Sequence, residues 1–143
     1  MELTSFSHGY GQNAHHFVFC PKYRRKIFAD QAVNNACYAI FYEVAEQYKI
    51  KIFALQIMPD HVHLFADIPP TMSQSKAEQL FKGISARELR RLYPDEIHEY
   101  KLGEHFWSAG SFHRSVGNVT AETIQHYIAT SQSKHLALPI FDY

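Results

Sequence analysis

Along this chain the apolar positions switch between a period of two and a period of three to four, and each switch marks an element. His15-His16-Phe17-Val18-Phe19-Cys20 is a short aromatic and β-branched run, a predicted strand that Pro21 ends. Asp30 then stands as an N-cap before Val33, Ala36, Cys37, Ile40, Phe41, Val44, Ala45 and Tyr48. That spacing predicts an amphipathic helix of about five turns. Strands over 51–57 and 61–67 follow, joined by the tight turn Met58-Pro59-Asp60 into a hairpin that ends before Pro69-Pro70. Ser73 caps a second predicted helix over 74–92, with Ala77, Leu80, Phe81 and Ile84 inward and Leu89 or Leu92 beyond. Its outer side carries Lys76, Lys82, Arg87, Arg90 and Arg91. Gly83 in its middle costs about 1 kcal/mol against Ala, which predicts a close contact or a kink there. Tyr93-Pro94 stops the helix, and 95–104 is acidic. A last strand is predicted over 111–116, ended by Gly117-Asn118, and a final helix over 121–134 with Thr120 as its N-cap. Residues 1–13, polar and Gly-rich, are expected to form a flexible arm.

The order β-α-β-β-α-β predicts an α+β fold, the ferredoxin-like split βαβ arrangement, with an antiparallel sheet and an additional C-terminal helix. A chain of 143 residues without repeats or linkers is expected to be one domain over 1–143. In that topology the first and third strands are central. His16 would then lie near His61 and His63 in mid-sheet, with two helices over one face.

Composition changes this picture little, and charge changes it more. Formal net charge is zero, which argues against simple non-specific adhesion to nucleic acid but leaves room for a local basic patch. The charges are segregated, however. Lys22-Tyr23-Arg24-Arg25-Lys26 is the densest basic cluster and contains an aromatic. Cations for phosphates beside a ring for base stacking suit single-stranded nucleic acid. Cys20 and Cys37 lack disulfide-framework spacing, the N-terminus lacks a signal-peptide pattern, and no apolar run reaches membrane-spanning length. A cytoplasmic protein with no membrane partner is expected.

Two places carry candidate chemistry. His61 and His63, at i and i+2 of a strand, project from one face with Cβ atoms roughly 6–7 Å apart, close enough to share a divalent metal. Paired His on a strand are more often plain surface residues, so the spacing alone leaves the site open. Ile124, Tyr127, Ile128 and Ser131 form one stripe of the final helix, and Tyr127 on it is either a packed core phenol or a group laid against the sheet.

Taken together, these pieces resemble a family. His16-x-Val18-Phe19-x-x-Lys22-Tyr23-Arg24-Arg25, Met58-Pro59-Asp60-His61-Val62-His63-Leu64, Lys82-Gly83-x-Ser85-x-Arg87, Trp107-x-x-Gly110, Val116-Gly117-Asn118-Val119-Thr120 and Ile124-x-x-Tyr127-Ile128 occur in that order over 15–132. They are similar to the motifs of the single-tyrosine HUH transposases (TnpA) of insertion sequences that move as single-stranded DNA, whose relatives include the REP-associated tyrosine transposases. The resemblance implies a DNA transposase that cleaves and rejoins single strands through a 5′-phosphotyrosine. It makes His61 and His63 metal ligands for Mg²⁺ or Mn²⁺ and Tyr127 the nucleophile. It also implies recognition of DNA hairpins and a homodimer in which the Tyr helix is shared. The family's third ligand is a Gln one turn after the Tyr. Here that position is Ser131, followed by Gln132, so Gln132 is the candidate ligand with Ser131 as the alternative. Lys22, Tyr23, Arg24, Arg25, Lys82 and Arg87 are the candidate DNA contacts. Two other classes compete: an RRM-type single-strand binding module, which needs exposed aromatics on the open sheet face, and an unrelated metal hydrolase that uses the two His with a water.

Overall fold

The computed structural model describes residues 11–126. In chain order the elements are β1 (Gly11–Phe19), α1 (Gln31–Gln47), β2 (Lys51–Met58), β3 (His61–Asp67), α2 (Gln74–Leu92), α3 (Pro94–Glu99) and β4 (Phe112–Val119). Helical turns resume over 121–126. The strands form one antiparallel sheet in the order β2-β3-β1-β4, which is the split βαβ topology with β1 and β3 central.

α1, α2 and the helical turns over 121–126 each begin where a side chain can satisfy the orphan amides of the first turn. Asp30 accepts from Val33 N at 3.1 Å, Ser73 from Lys76 N at 3.0 Å and Thr120 from Thr123 N at 3.2 Å. The side-chain period of two then sorts β1 and β3 between two environments. Phe17, Phe19, Val62, Leu64 and Ala66 face α1 and α2 and pack with Phe41, Phe81, Leu89 and Trp107 into the main core. Ala14, Phe65, Val119 and Ile124 form a second cluster with Phe53 on the opposite face. Phe53 reaches that face because a register shift between Ile52 and Ala54 inserts one residue into β2.

Three expectations are corrected and one element is added. β1 begins at Gly11, so 11–13 belong to the sheet and not to an arm. The Asp67 carboxylate, far away in sequence, accepts from Gln12 N at 3.0 Å and Asn13 N at 2.7 Å and holds this polar stretch in place. Pro94 ends α2 and also starts α3, at the first-turn position where its missing N–H costs nothing, followed by Asp95 and Glu96 on the positive end of the helix. β4 continues to Val119 because Gly117, at φ +75°, absorbs a register shift against β1. Gly83 marks neither a kink nor a close contact: α2 is continuous, and nothing lies within 4 Å of a Cβ built there.

Candidate active site

The site grows out of the alternation of β1 and β3. Val18 pairs with His63 and His16 with Phe65, so His16, His61 and His63 all stand on the face that α1 and α2 leave open. The rings of His61 and His63 lie 4.9 Å apart at 79°, and those of His63 and His16 lie 5.4 Å apart at 14°. His63 and His16 are buried, and His61 is partly open.

Both motif imidazoles are held through Nδ1. His61 Nδ1 lies 2.8 Å from Asp60 Oδ1, and an ionised carboxylate can only accept, so His61 donates and keeps the lone pair of Nε2. His63 Nδ1 lies 3.2 Å from His16 Nε2. Burial, and then the charge of Arg114, lower the His16 pKa to about 4, so this ring is neutral at pH 7. Burial alone would raise the Asp60 carboxyl. The hydrogen bond from His61 and then the charge of Arg24 outweigh it and hold the group below its usual range. Arg24 Nη2 reaches Asp60 Oδ2 at 3.1 Å, and Phe28 N donates to Pro59 O at 3.1 Å, so the turn that delivers His61 is fastened from both sides.

The donor set fits a divalent ion. Two imidazoles, one oriented by a carboxylate, are first-row metal chemistry, with room for oxygen donors. Among the described residues no group of three His, Cys, Asp or Glu side chains converges, so further donors would come from elsewhere. Tyr127, Ser131 and Gln132 lie outside the described residues. The helix that leads to them is seated on this same face: Ile124 is fully buried against the cluster of Ala14, Phe53, Phe65 and Val119.

The candidate DNA contacts fall into two groups. Lys22, Tyr23, Arg24 and Arg25 form the loop beside Asp60. Tyr23 is 69% exposed, with Lys22 Nζ 5.4 Å and Arg25 Cζ 5.3 Å from its ring centre. Tyr23 and Arg24 take positive φ, 59° and 52°, unusual for residues with a Cβ. Arg24 is engaged by Asp60, and so links the basic loop to the turn before His61 and His63. Lys82 and Arg87 stand on α2, in the layer on the other side of the sheet. Lys82 Nζ donates to Ser108 O at 2.9 Å; burial lowers its pKa against the opposing pull of Glu78 and Cys20. Arg87 is exposed beside Glu88. Ser85 of the same motif is structural. Its buried hydroxyl accepts from Trp107 Nε1 at 2.9 Å and donates to Lys82 O at 3.2 Å, fixing the tryptophan in the core.

Sequence reasoning passed over Asp60, which looks like an ordinary turn residue. It left His16 between several roles. The signal for Asp60 was its place directly before a paired His, where a carboxylate can reach Nδ1.

Comparison with known proteins bears on the family and the fold. The family model described as "Transposase IS200 like" matches residues 10–131. The chain belongs to the IS200-like transposase family and is an enzyme of that class, a DNA transposase. It is 34% identical over 124 residues to the transposase for insertion sequence element IS200 of Salmonella typhimurium, covering 87% of this chain and 80% of that one. It is 28% identical over 123 residues to the ISDra2 transposase TnpA of Deinococcus radiodurans, covering 86% of each chain. A crystallised transposase candidate from Deinococcus radiodurans R1 superposes with a TM-score of 0.68 at 26% identity, covering 89% of this chain and 97% of that one. A REP-associated tyrosine transposase bound to a REP hairpin superposes at 0.56 over 94% of this chain and 74% of that one. At 16% identity that second likeness shows the fold alone.

Proposed function

We propose that this transposase cleaves and rejoins single-stranded DNA at insertion-sequence ends through a covalent 5′-phosphotyrosine, with His61 and His63 holding Mg²⁺ or Mn²⁺ and Tyr127 as nucleophile. The observation that carries the reading is the shared face: three imidazoles in mid-sheet, and Ile124 of the incoming last helix packed on the same side. In the sequence Tyr127 stands three residues after Ile124, the interval at which a continuing helix would repeat one stripe.

A phenol with a pKa of about 10 is a weak nucleophile at neutral pH, so position and charge must supply the rate. The Tyr127 oxygen forms a bond to phosphorus, the bond to the 3′ oxygen breaks, and that oxygen leaves as a 3′-hydroxyl after taking up a proton. The new phosphoester resembles the one broken, so a 3′-hydroxyl can reverse the step and join strands without a nucleotide cofactor. The bound metal would polarise the scissile phosphate and offset charge on the leaving oxygen. His61 and His63 would hold it, with Gln132 or Ser131 as the third protein donor. Asp60 keeps the His61 ring in its ligating tautomer. Tyr23 with its neighbouring cations is suited to a base and its phosphates next to that centre, whereas Lys82 and Arg87 on the helical side are suited to a separate contact such as a hairpin stem. The active form on this reading is a homodimer sharing the Tyr helix.

The RRM-type alternative is disfavoured by a specific observation: of the aromatics on the open face, Phe53 and Phe65 are buried in the cluster with Ile124 and Val119, and Phe112 is only partly exposed with its ring edge-on to His16, so the described residues present no continuous stacking platform. The test is to incubate the protein with Mn²⁺ and labelled single-stranded hairpin DNA and run a denaturing gel. A covalent adduct that disappears in Tyr127→Phe while hairpin binding persists is the expected result. Binding without an adduct in any metal, or cleavage that survives Tyr127→Phe, would overturn it.

A further inference from the structure

We propose that His16 is the positioning residue of the metal centre: its Nε2 accepts the Nδ1–H of His63, which leaves the Nε2 lone pair of His63 for the ion. The inference rests on the reading of His61 and His63 as metal ligands.

A neutral imidazole carries one proton, so the hydrogen bond at one nitrogen decides what the other can do. His63 Nδ1 and His16 Nε2 lie 3.2 Å apart with their rings within 14° of parallel, the arrangement of an in-plane N–H···N bond. The bond can run in two directions. If His16 donates, Nδ1 of His63 is the acceptor, Nε2 carries the proton, and His63 cannot ligate. If His63 donates, its Nε2 is a ligand. Only the second direction lets both motif histidines bind one ion through the same nitrogen, because His61 is already committed to Nε2 by Asp60.

The two orienting groups differ for a physical reason. Asp60 sits at a turn, 23% exposed and paired with Arg24, where a carboxylate is tolerable. His16 lies in mid-sheet at 5% exposure, where a carboxylate would be a buried charge whenever the metal is absent. A neutral acceptor orients His63 without that penalty.

The experiment compares wild type, His16→Gln and His16→Phe. Long-range ¹H–¹⁵N spectra of the metal-free protein near neutral pH report the tautomer of His63 directly, and titration with Mn²⁺ followed by electron paramagnetic resonance reports affinity without DNA or turnover. The expected result is the Nδ1–H tautomer at His63 in wild type. Mn²⁺ should bind roughly 10–100-fold more weakly to His16→Phe. His16→Gln, whose amide oxygen can still accept from Nδ1–H, should recover most of the affinity. An Nε2–H tautomer at His63 in wild type overturns the proposal, as does wild-type affinity in His16→Phe. Equal weakness in both variants also overturns it, because Gln retains the acceptor. If wild type itself binds no Mn²⁺, the metal reading falls and this inference with it; if wild type binds and His16→Phe binds equally, this inference falls alone.

Discussion

Acid should destabilise the metal-free protein through His16, and the size of the effect can be worked out. The fold favours the neutral ring: its pKa drops from 6.5 to about 4, first by burial and then by the charge of Arg114. In the unfolded chain the ring takes its proton near pH 6.5; in the native protein it does so only near pH 4. Below pH 6.5 the unfolded state therefore binds more protons, and stability falls as pH is lowered. The contribution is fully present above pH 6.5, is lost between 6.5 and about 4, and is gone below that. At about 1.4 kcal/mol per pH unit the loss is about 3 kcal/mol, a large share of the roughly 5–15 kcal/mol that holds a domain together. Trp107, the single tryptophan, is buried in the core and reports unfolding by fluorescence. Urea unfolding of wild type and His16→Gln, in chelator from pH 7.5 to 4, isolates the effect. His15 and His113, whose pKa values burial also lowers, titrate in both proteins and cancel. Wild type should lose about 3 kcal/mol more than the variant over that range. Parallel curves would refute the reasoning and show that the His16 ring is protonated in the fold as readily as outside it.

Three further substitutions probe the frame. Gly83→Ala should stabilise α2 by about 1 kcal/mol in chemical denaturation, since the added methyl meets open space; a loss would show that the position needs its glycine. Gly11→Ala would place a methyl 2.9 Å from Phe53 and Val119 and should destabilise by about 1–3 kcal/mol, read as a lower thermal midpoint. Ser85→Ala strands the buried indole N–H of Trp107 and should cost about 1–3 kcal/mol, with a shifted Trp107 emission confirming the cause.

What local pattern can carry was legible in the chain. α1 and α2 follow from three- and four-residue spacing plus Asp30 and Ser73, whose capping oxygens act on amides three residues on. The pairing of His61 with His63 follows from the two-residue period of a strand, and the nearness of His16 from the topology. What escaped depends on contacts between distant residues. Gln12 and Asn13 look like an arm until Asp67, more than fifty positions away, is seen to take their amides. Gly117 looks like a terminator until β1 supplies the partner for a bulge. Asp60 looks like turn chemistry until Arg24 and His61 are found on its two oxygens. Pro94 stops α2 as expected, and α3 escaped for another reason: one residue can close a helix and open the next.

Because β1 and β3 present Phe17, Phe19 and Leu64 to one side and His16, His61 and His63 to the other, their lengths are locked. A single-residue insertion or deletion at the start of either strand would turn every following side chain over, sending His16 or His63 into the oily layer and Phe17 or Leu64 out to the histidine face. Such a slip would remove chemistry and cohesion in one stroke. In this family, length variation is therefore expected to collect in the connections, such as 68–73 and 100–111, and to spare the two middle strands.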